Sequence, residues 1–418
     1  MGHAVTTLIG LGHARLARLV PESLLSGQLI DRSGMAHLIT AFGREGMTQV
    51  AIEEWMAASP VYTGRMRAAL GIDGDGVEDM FKCLQLDIGA PPQFMDFRFR
   101  ITDRYHGAFV LDHCGALLDV EPMGEDYVTS MCHDIEDPTF DATAIATNRR
   151  ARIRPVHRPP RMPADRTPHC EWTVTIEPDR EELPLPRVTE PVLETRAASV
   201  VLSPIDPADE GRSDYRGPLV EDLVFAEFSS SALVRIAEEV AVAHQLLAIG
   251  FQLSVLRRTD PASADDILAR QLVGIAGITA ERLAAALFDG RSDARTLADV
   301  LSVHPVFGPV QYTGVVARAG DDGVSVRIPR TSAAVEDGAW MRLLAEGRLD
   351  ALQAAATAVD PTWVIADSRV DGDDLVVDFG RGDPLPESGE VAIVRFSGGS
   401  DFTFADRGPS RPLPLTVL

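Results

Sequence analysis

The sequence predicts an α+β fold: N-terminal helices lead into a small α/β domain rich in cysteine and histidine, then a helical segment and a C-terminal mixed α/β region follow. Three observations predict it. Apolar residues recur at helical spacing through residues 13–82, strict alternation takes over near Met95, and the second half repeats the sequence of helical spacing followed by alternation. At 418 residues the chain exceeds what one core supports, so it divides into 1–180, a helical lead-in plus Cys/His-rich α+β domain; 181–220, a linker; 221–305, a helical region; and 306–418, a C-terminal α+β region.

Leu16, Leu19, Val20 and Leu24 start the first apolar stripe, which resumes over Met35–Ala57 before Pro60. Met66–Leu70 and Val77–Leu86 read as short helices around a Gly71–Gly76 turn, and Gly89-Ala90-Pro91-Pro92 breaks the pattern. Met95, Phe97, Phe99 and Ile101 then share one strand face, with Ala108–Leu117 as the partner strand. Glu125–His133 reads as a helix with acidic residues at its start, 149–168 as an Arg- and Pro-rich loop, and Cys170, Trp172, Val174 and Ile176 as one face of another strand. Prolines and charges fill the linker, with a strand at Ala198–Leu202. Ser229–Arg258 reads as a long capped helix, and Asp265–Leu287 and Ala294–Val303 continue the helical reading. Val310–Arg318 and Val324–Ile328 flank the hairpin turn Gly320-Asp321-Asp322-Gly323; a helix over Val335–Ala358 precedes strands at Trp363–Ala366, Leu375–Phe379 and Val391–Phe396.

Composition narrows the function classes. A formal charge of −23 argues against nucleic acid and against an anionic membrane surface, and no apolar run suggests a membrane span. Residues 1–12 lack the basic flank and apolar stretch of a secretory leader, so the expectation is a cytoplasmic protein with reduced thiols. Gly10-Leu11-Gly12 is no dinucleotide fingerprint, and neither a P-loop nor a GxSxG elbow occurs, so no nucleotide cofactor motif is present. Lys82 is the only lysine among the 39 basic Lys and Arg residues, and it precedes Cys83. Coding bias toward arginine accounts for that scarcity; a buried lysine acting as base is the rival reading.

The chemistry concentrates where histidine and cysteine adjoin. His113-Cys114, Cys132-His133 and His169-Cys170 fall close together, where chance gives roughly 0.2 such neighbours in a chain of this composition. Thiolate and imidazole suit a zinc or iron ion, and they also make a nucleophile–base pair. A metal would draw on Cys114, Cys132, His133, His169 and Cys170, although the spacing matches no zinc finger. Adjacent strand residues face opposite ways, so Cys114, Cys132 and Cys170 converge most simply, with a bulge or strand end needed to admit a neighbouring histidine. Three buried thiols packing in a core are the plain alternative. Among the nearby carboxylates, Asp134 is the choice to orient His133. Arg149, Arg152, Arg154, Arg158 and Arg161 lie in a locally basic stretch that suits capture of a carboxylate or coenzyme A ester; pairing with the acidic face of this or a second subunit is the rival.

Cys114 on a strand, Cys132-His133-Asp134 on a helix and Cys170-Glu171-Trp172 opening a late strand resemble the L-2-amino-thiazoline-4-carboxylic acid hydrolase-like family over the first half of the chain. The resemblance implies hydrolytic opening of a small heterocyclic carboxylate or a sibling activity, with Cys114, Cys132 and Asp134 as matched positions. The additional histidines depart from that pattern.

The resulting expectation is a hydrolase-like enzyme for a small anionic substrate. Metal-bound water or the thiolate of Cys132 or Cys114 attacks, His133 is the base and Asp134 orients it. The alternative is a non-catalytic metal- or cofactor-binding protein or a subunit of a larger complex, whose helical second half forms a homo-oligomer or holds a partner protein.

Overall fold

Residues 7–414 except Asp322 are described by the computed structural model; residues 1–6 of the expected leaderless start and Asp322 of the expected turn lie outside them. Helix α1, His13–Leu70, is a hairpin rather than a rod. Gly43 (φ 71°, ψ 179°) interrupts it in backbone space open essentially to glycine alone. Trp55 Nε1 donates to Asp31 Oδ2 at 2.9 Å, whereas a straight helix would set residues 24 apart by about 36 Å. The two arms therefore run antiparallel, with Asp31 and Trp55 equidistant from the turn.

Helix α2, Val77–Leu84, leads into strands β1, Met95–Ile101, and β2, His106–Cys114. Helix α3, Gly115–Val120, and helix α4, Glu125–Thr129, precede a π-helical turn at Ser130–Ile135 that runs into α5, Glu136–Ile145. Strands β3, Ala151–His157, and β4, Cys170–Ile176, complete an antiparallel sheet of order β1-β2-β4-β3. Residues 151–157 of the expected 149–168 loop are thus an edge strand, where Pro155 is tolerated. Phe97, Phe109, Leu111, Trp172 and Val174 fill its inner face together with Phe81 of α2, forming a core of their own.

Short helices α6, Glu190–Leu193, and α7, Arg196–Ser199, follow, so Ala198–Leu202 is not a strand. Helix α8, Ser230–Leu256, is capped by Ser229, and α9, Pro261–Phe288, by Asp260 with Pro261 in its first turn. Both are long and apolar enough to cross a bilayer, yet 83% of each apolar window is buried inside the protein. They pack against the two arms of α1, making a bundle of two helical hairpins. The N-terminal helices therefore share one core with the second half of the chain, while the sheet carrying the cysteines has another.

Beyond α10, Ala294–Val303, and α11, Val310–Thr313, a second antiparallel sheet has the order β5-β6-β8-β7. Its strands are β5, Val316–Ala319; β6, Val324–Pro329; β7, Trp363–Asp371; and β8, Asp374–Arg381. The single helix expected over Val335–Ala358 is three: α12, Ala333–Asp337; α13, Ala339–Ala345; and α14, Asp350–Val359, broken at Gly338 and Gly347, both with positive φ. The strand expected at Val391–Phe396 is instead helix α15, Gly389–Val394, capped by Ser388. Residues beyond α15 strap the two cores together: Arg282 of α9 donates to the carbonyls of Gly399, Ser400 and Phe402, and Arg407 binds Asp96 of β1.

Candidate active site

The expected cysteine and histidine residues separate into two groups. Cys114, Cys132 and Cys170 are all buried in the sheet core, where negative charge on Cys114 is felt by both of the others and charge on Cys170 by Cys132. The pairing Met95↔Cys114 followed by Phe97↔Leu111 puts an extra residue into β2, and this bulge turns Cys114 inward beside Phe109 and Leu111. Cys114 Sγ accepts from Leu117 N at 3.4 Å as the cap of α3. Burial pushes its thiol up to about 12 and raises those of Cys132 and Cys170, the reverse of what an attacking thiolate needs.

The histidines turn elsewhere. His133 Nε2 donates to the Pro159 carbonyl at 2.7 Å, anchoring the chain after β3, and Asp134, expected to orient it, is exposed. His169 is buried with its ring 6.3 Å from that of His113. Among the described residues no three or more His, Cys, Asp or Glu side chains are grouped so as to hold a metal ion.

The arginines are engaged by their own chain. Arg149 donates to the Leu183 carbonyl, Arg152 to the Glu181 carbonyl, Arg154 to Asp141 at 2.9 Å, Arg158 to Asp137 at 2.5 Å, and Arg161 to Glu121 through two bonds of 2.8 Å. Lys82 is buried between Glu78 (3.6 Å) and Asp79 (3.4 Å), with the Tyr215 ring 5.7 Å away, and so has counter-ions rather than a substrate-facing position.

A different set of side chains meets in a cavity of about 90 Å³ where the α1 hairpin abuts the sheet domain, room for a few waters or a small molecule. Three carboxyl groups reach it from three separate elements: Asp31 from the first arm of α1, Asp87 from the segment after α2, and Glu136 from the start of α5. Tyr62 and Trp55 of the second arm, Gln28, Thr139 and Thr143 add polar groups, and Met95, Phe97, Met131 and Phe140 supply apolar wall.

Each carboxyl is held differently. Asp87 Oδ1 accepts from Tyr62 Oη (2.9 Å) and Gly89 N (2.7 Å). A Cβ at Gly89 would lie 3.1 Å from the Trp55 ring, so a larger residue there needs that ring to shift. Burial lifts the Asp87 carboxyl to about 6 against the opposing pull of those two bonds. Glu136 follows the π-helical turn, whose wider winding changes the direction in which the next residues project. Its Oε2 is shielded from solvent and has no hydrogen-bond partner among the described residues. Burial dominates and takes Glu136 to about 8, with Arg158 opposing and Asp137 reinforcing the rise. Behind Asp31, the fully enclosed Glu54 is raised well above the usual carboxylate range, by burial first and by the Asp31 charge second. The site therefore carries carboxyl groups whose proton affinities differ within one small space, the arrangement that acid–base catalysis uses.

Of this set, Glu136 lies among the acidic residues near Cys132 in the sequence, where adjacency to His133 points instead to Asp134. Glu54 had a visible signal: it interrupts the apolar stripe Val50, Ala51, Ala57, Ala58 and Val61 on the buried face of α1.

No protein-family model, curated protein or solved structure matches this chain.

Proposed function

We propose that this protein is a cytoplasmic hydrolase acting on a small neutral or cationic molecule by carboxyl general acid–base chemistry in the Asp31–Asp87–Glu136 cavity. The observation that carries the reading is the convergence of three carboxyl groups and the Tyr62 hydroxyl on one small cavity whose lining contains no arginine or lysine. Such a lining disfavours the anionic substrate that the arginine-rich stretch suggested and favours a basic nitrogen facing Asp31.

In this scheme Glu136, protonated at neutral pH, donates its proton to the leaving atom. Asp87, ionised above about pH 6, takes a proton from the attacking water. The water oxygen bonds to the substrate carbon as the carbon–leaving-atom bond breaks, and the water's proton and that of Glu136 end on Asp87 and the leaving group. Tyr62 keeps Asp87 oriented through its 2.9 Å bond. The hydrolytic class is also the one implied by the family resemblance, but with carboxyls in place of Cys114 and Cys132.

The test is hydrolysis of a panel of small amine-bearing esters, amides and cyclic amidines by the full chain and by Glu136→Gln and Asp87→Asn. Loss of about 10²–10⁴-fold in kcat in either variant, with circular dichroism unchanged, is the expected result. Turnover that both variants retain, or no turnover on any member, overturns the reading.

A further inference from the structure

The start of α1, the end of α9, α10 and β5 border an open cavity of about 720 Å³, a volume in the range of small-molecule sites. It shares no lining residue with the carboxyl cavity. Three arginines line it, Arg15 of α1, Arg291 after α9 and Arg295 of α10, in a chain whose formal charge is −23. Arg291 and Arg295 are exposed and Arg15 is half-buried, so these side chains meet the open cavity rather than the protein interior.

Arginines elsewhere, such as Arg154, Arg158 and Arg161, meet carboxylates within 2.9 Å. Those of the cavity are far less engaged. Among the described residues Arg15 makes no hydrogen bond or ion pair, its guanidinium carbon lying 5.4 Å over the Phe288 ring, and Arg291 donates to the Phe288 carbonyl at 3.1 Å. Arg295 reaches Asp299 at 3.8 Å, the outer limit of an ion pair, with 88% of its side chain exposed. The three are close enough together to act on one group: burial raises the Asp299 carboxyl, and Arg295, Arg15 and Arg291 all oppose that rise.

Such a cluster favours an anion, and the guanidinium fork suits phosphate. Asp293 and Asp299 share the lining, so a polyphosphate would set further negative charge against them, whereas hydroxyl groups donate to carboxylates. A nucleotide is disfavoured as well. Phe288, the one aromatic residue of the described lining, is 1% exposed and carries Arg15 over its ring, so it offers no face on which a base stacks.

We propose that this cavity binds a phosphorylated polyhydroxy compound of sugar-phosphate size, its phosphate held by Arg15 and Arg291 and its hydroxyl groups donating to Asp293 and Asp299. The site is separate from the carboxyl cavity and does not depend on the acid–base reading.

Calorimetric titration of the full chain with glucose 6-phosphate, ribose 5-phosphate and glycerol 3-phosphate, beside glucose and inorganic phosphate at one ionic strength and neutral pH, tests it. At least one ester is expected to bind saturably, about tenfold or more tightly than either glucose or inorganic phosphate. Arg15→Met and Arg291→Met should each weaken that ester by about tenfold or more, since each removes a charge-assisted hydrogen bond. Arg291→Met changes an exposed side chain and keeps the test decisive if Arg15→Met fails to fold. Absence of saturable binding by all three esters up to about 10 mM, inorganic phosphate or glucose binding as tightly as the best ester, or undiminished binding in Arg291→Met overturns the proposal.

Discussion

Replacing Glu136 by glutamine should change how the protein's stability depends on pH, whatever the substrate is. The folded carboxyl titrates at about 8 rather than at 4.5, so between those values the folded chain holds a proton that the unfolded chain has released. Stability falls with rising pH wherever the folded state binds more protons, so the contribution of Glu136 is complete below about pH 4.5 and is lost as pH climbs to about 8. At about 1.4 kcal/mol per pH unit the full gap amounts to about 5 kcal/mol, and the partial solvent exposure of this side chain lowers the expectation to about 2–5 kcal/mol. For a chain of 418 residues that corresponds to about 2–5 °C in the thermal midpoint. Glutamine keeps the shape and never ionises. Scanning calorimetry of both proteins from pH 5 to pH 9 should therefore show the wild type losing about 2–5 °C relative to Glu136→Gln toward the alkaline end. Asp87 and Asp96, both raised to about 6, add the same slope to both proteins and cancel in the comparison. Parallel curves across the range would refute the claim that Glu136 is held protonated by its surroundings.

Other outcomes follow from the same structure. The activity proposed above should give a bell-shaped kcat/KM profile with limbs near 6 and 8, set by Asp87 and Glu136 in the free protein, and the alkaline limb should vanish in the residual activity of Glu136→Gln. Arg282→Met strands buried Glu22, its partner at 2.7 Å, and should cost about 3–5 kcal/mol in urea unfolding, with Glu22→Gln in the same chain recovering part of it. Gly43→Ala holds an L residue at φ 71°, ψ 179°, with open space around its Cβ, and the backbone strain alone should cost about 1–3 kcal/mol, read by the same unfolding assay. All four cysteines are free and buried, so the native protein should react slowly with a thiol reagent and the guanidinium-unfolded protein should titrate all four at once.

The strand Cys170–Ile176 could be read directly because its buried residues alternate one by one, and Ala294–Val303 because its apolar residues keep helical spacing between an Asp cap and a loop. The α+β class followed from those periodicities. The hairpin in α1 was hidden because its turn needs a single glycine, and Gly43 sits in a run that otherwise reads as continuous helix. The strand expected at Val391–Phe396 falls on helix Gly389–Val394 and the residues after it, because β-branched residues in a short run fit either state and the Ser388 cap decides between them. The clustering of cysteines was visible in sequence, and the bulge that turns Cys114 inward was anticipated only as a condition. The carboxyl cavity was not visible because its three acids come from positions 31, 87 and 136, brought together by the α1 hairpin and the packing of the sheet against it. The arginines of 149–161 read as a ligand site because their acidic partners, Glu121, Asp137 and Asp141, lie in other elements.

The two-hairpin bundle also bears on how the chain must be made. The arms of α1 emerge first, but the helices that cover them begin at Ser230, and Arg282 finds its last acceptors only at Gly399–Phe402. At about 5–20 residues per second of synthesis, the interval between Leu70 and Ser230 leaves the apolar faces of that hairpin waiting for about 8–30 s beside the ribosome. A holding chaperone, or provisional burial against the newly made sheet domain, is the natural cover for that interval, and nascent chains arrested before residue 230 should be the ones most prone to aggregate.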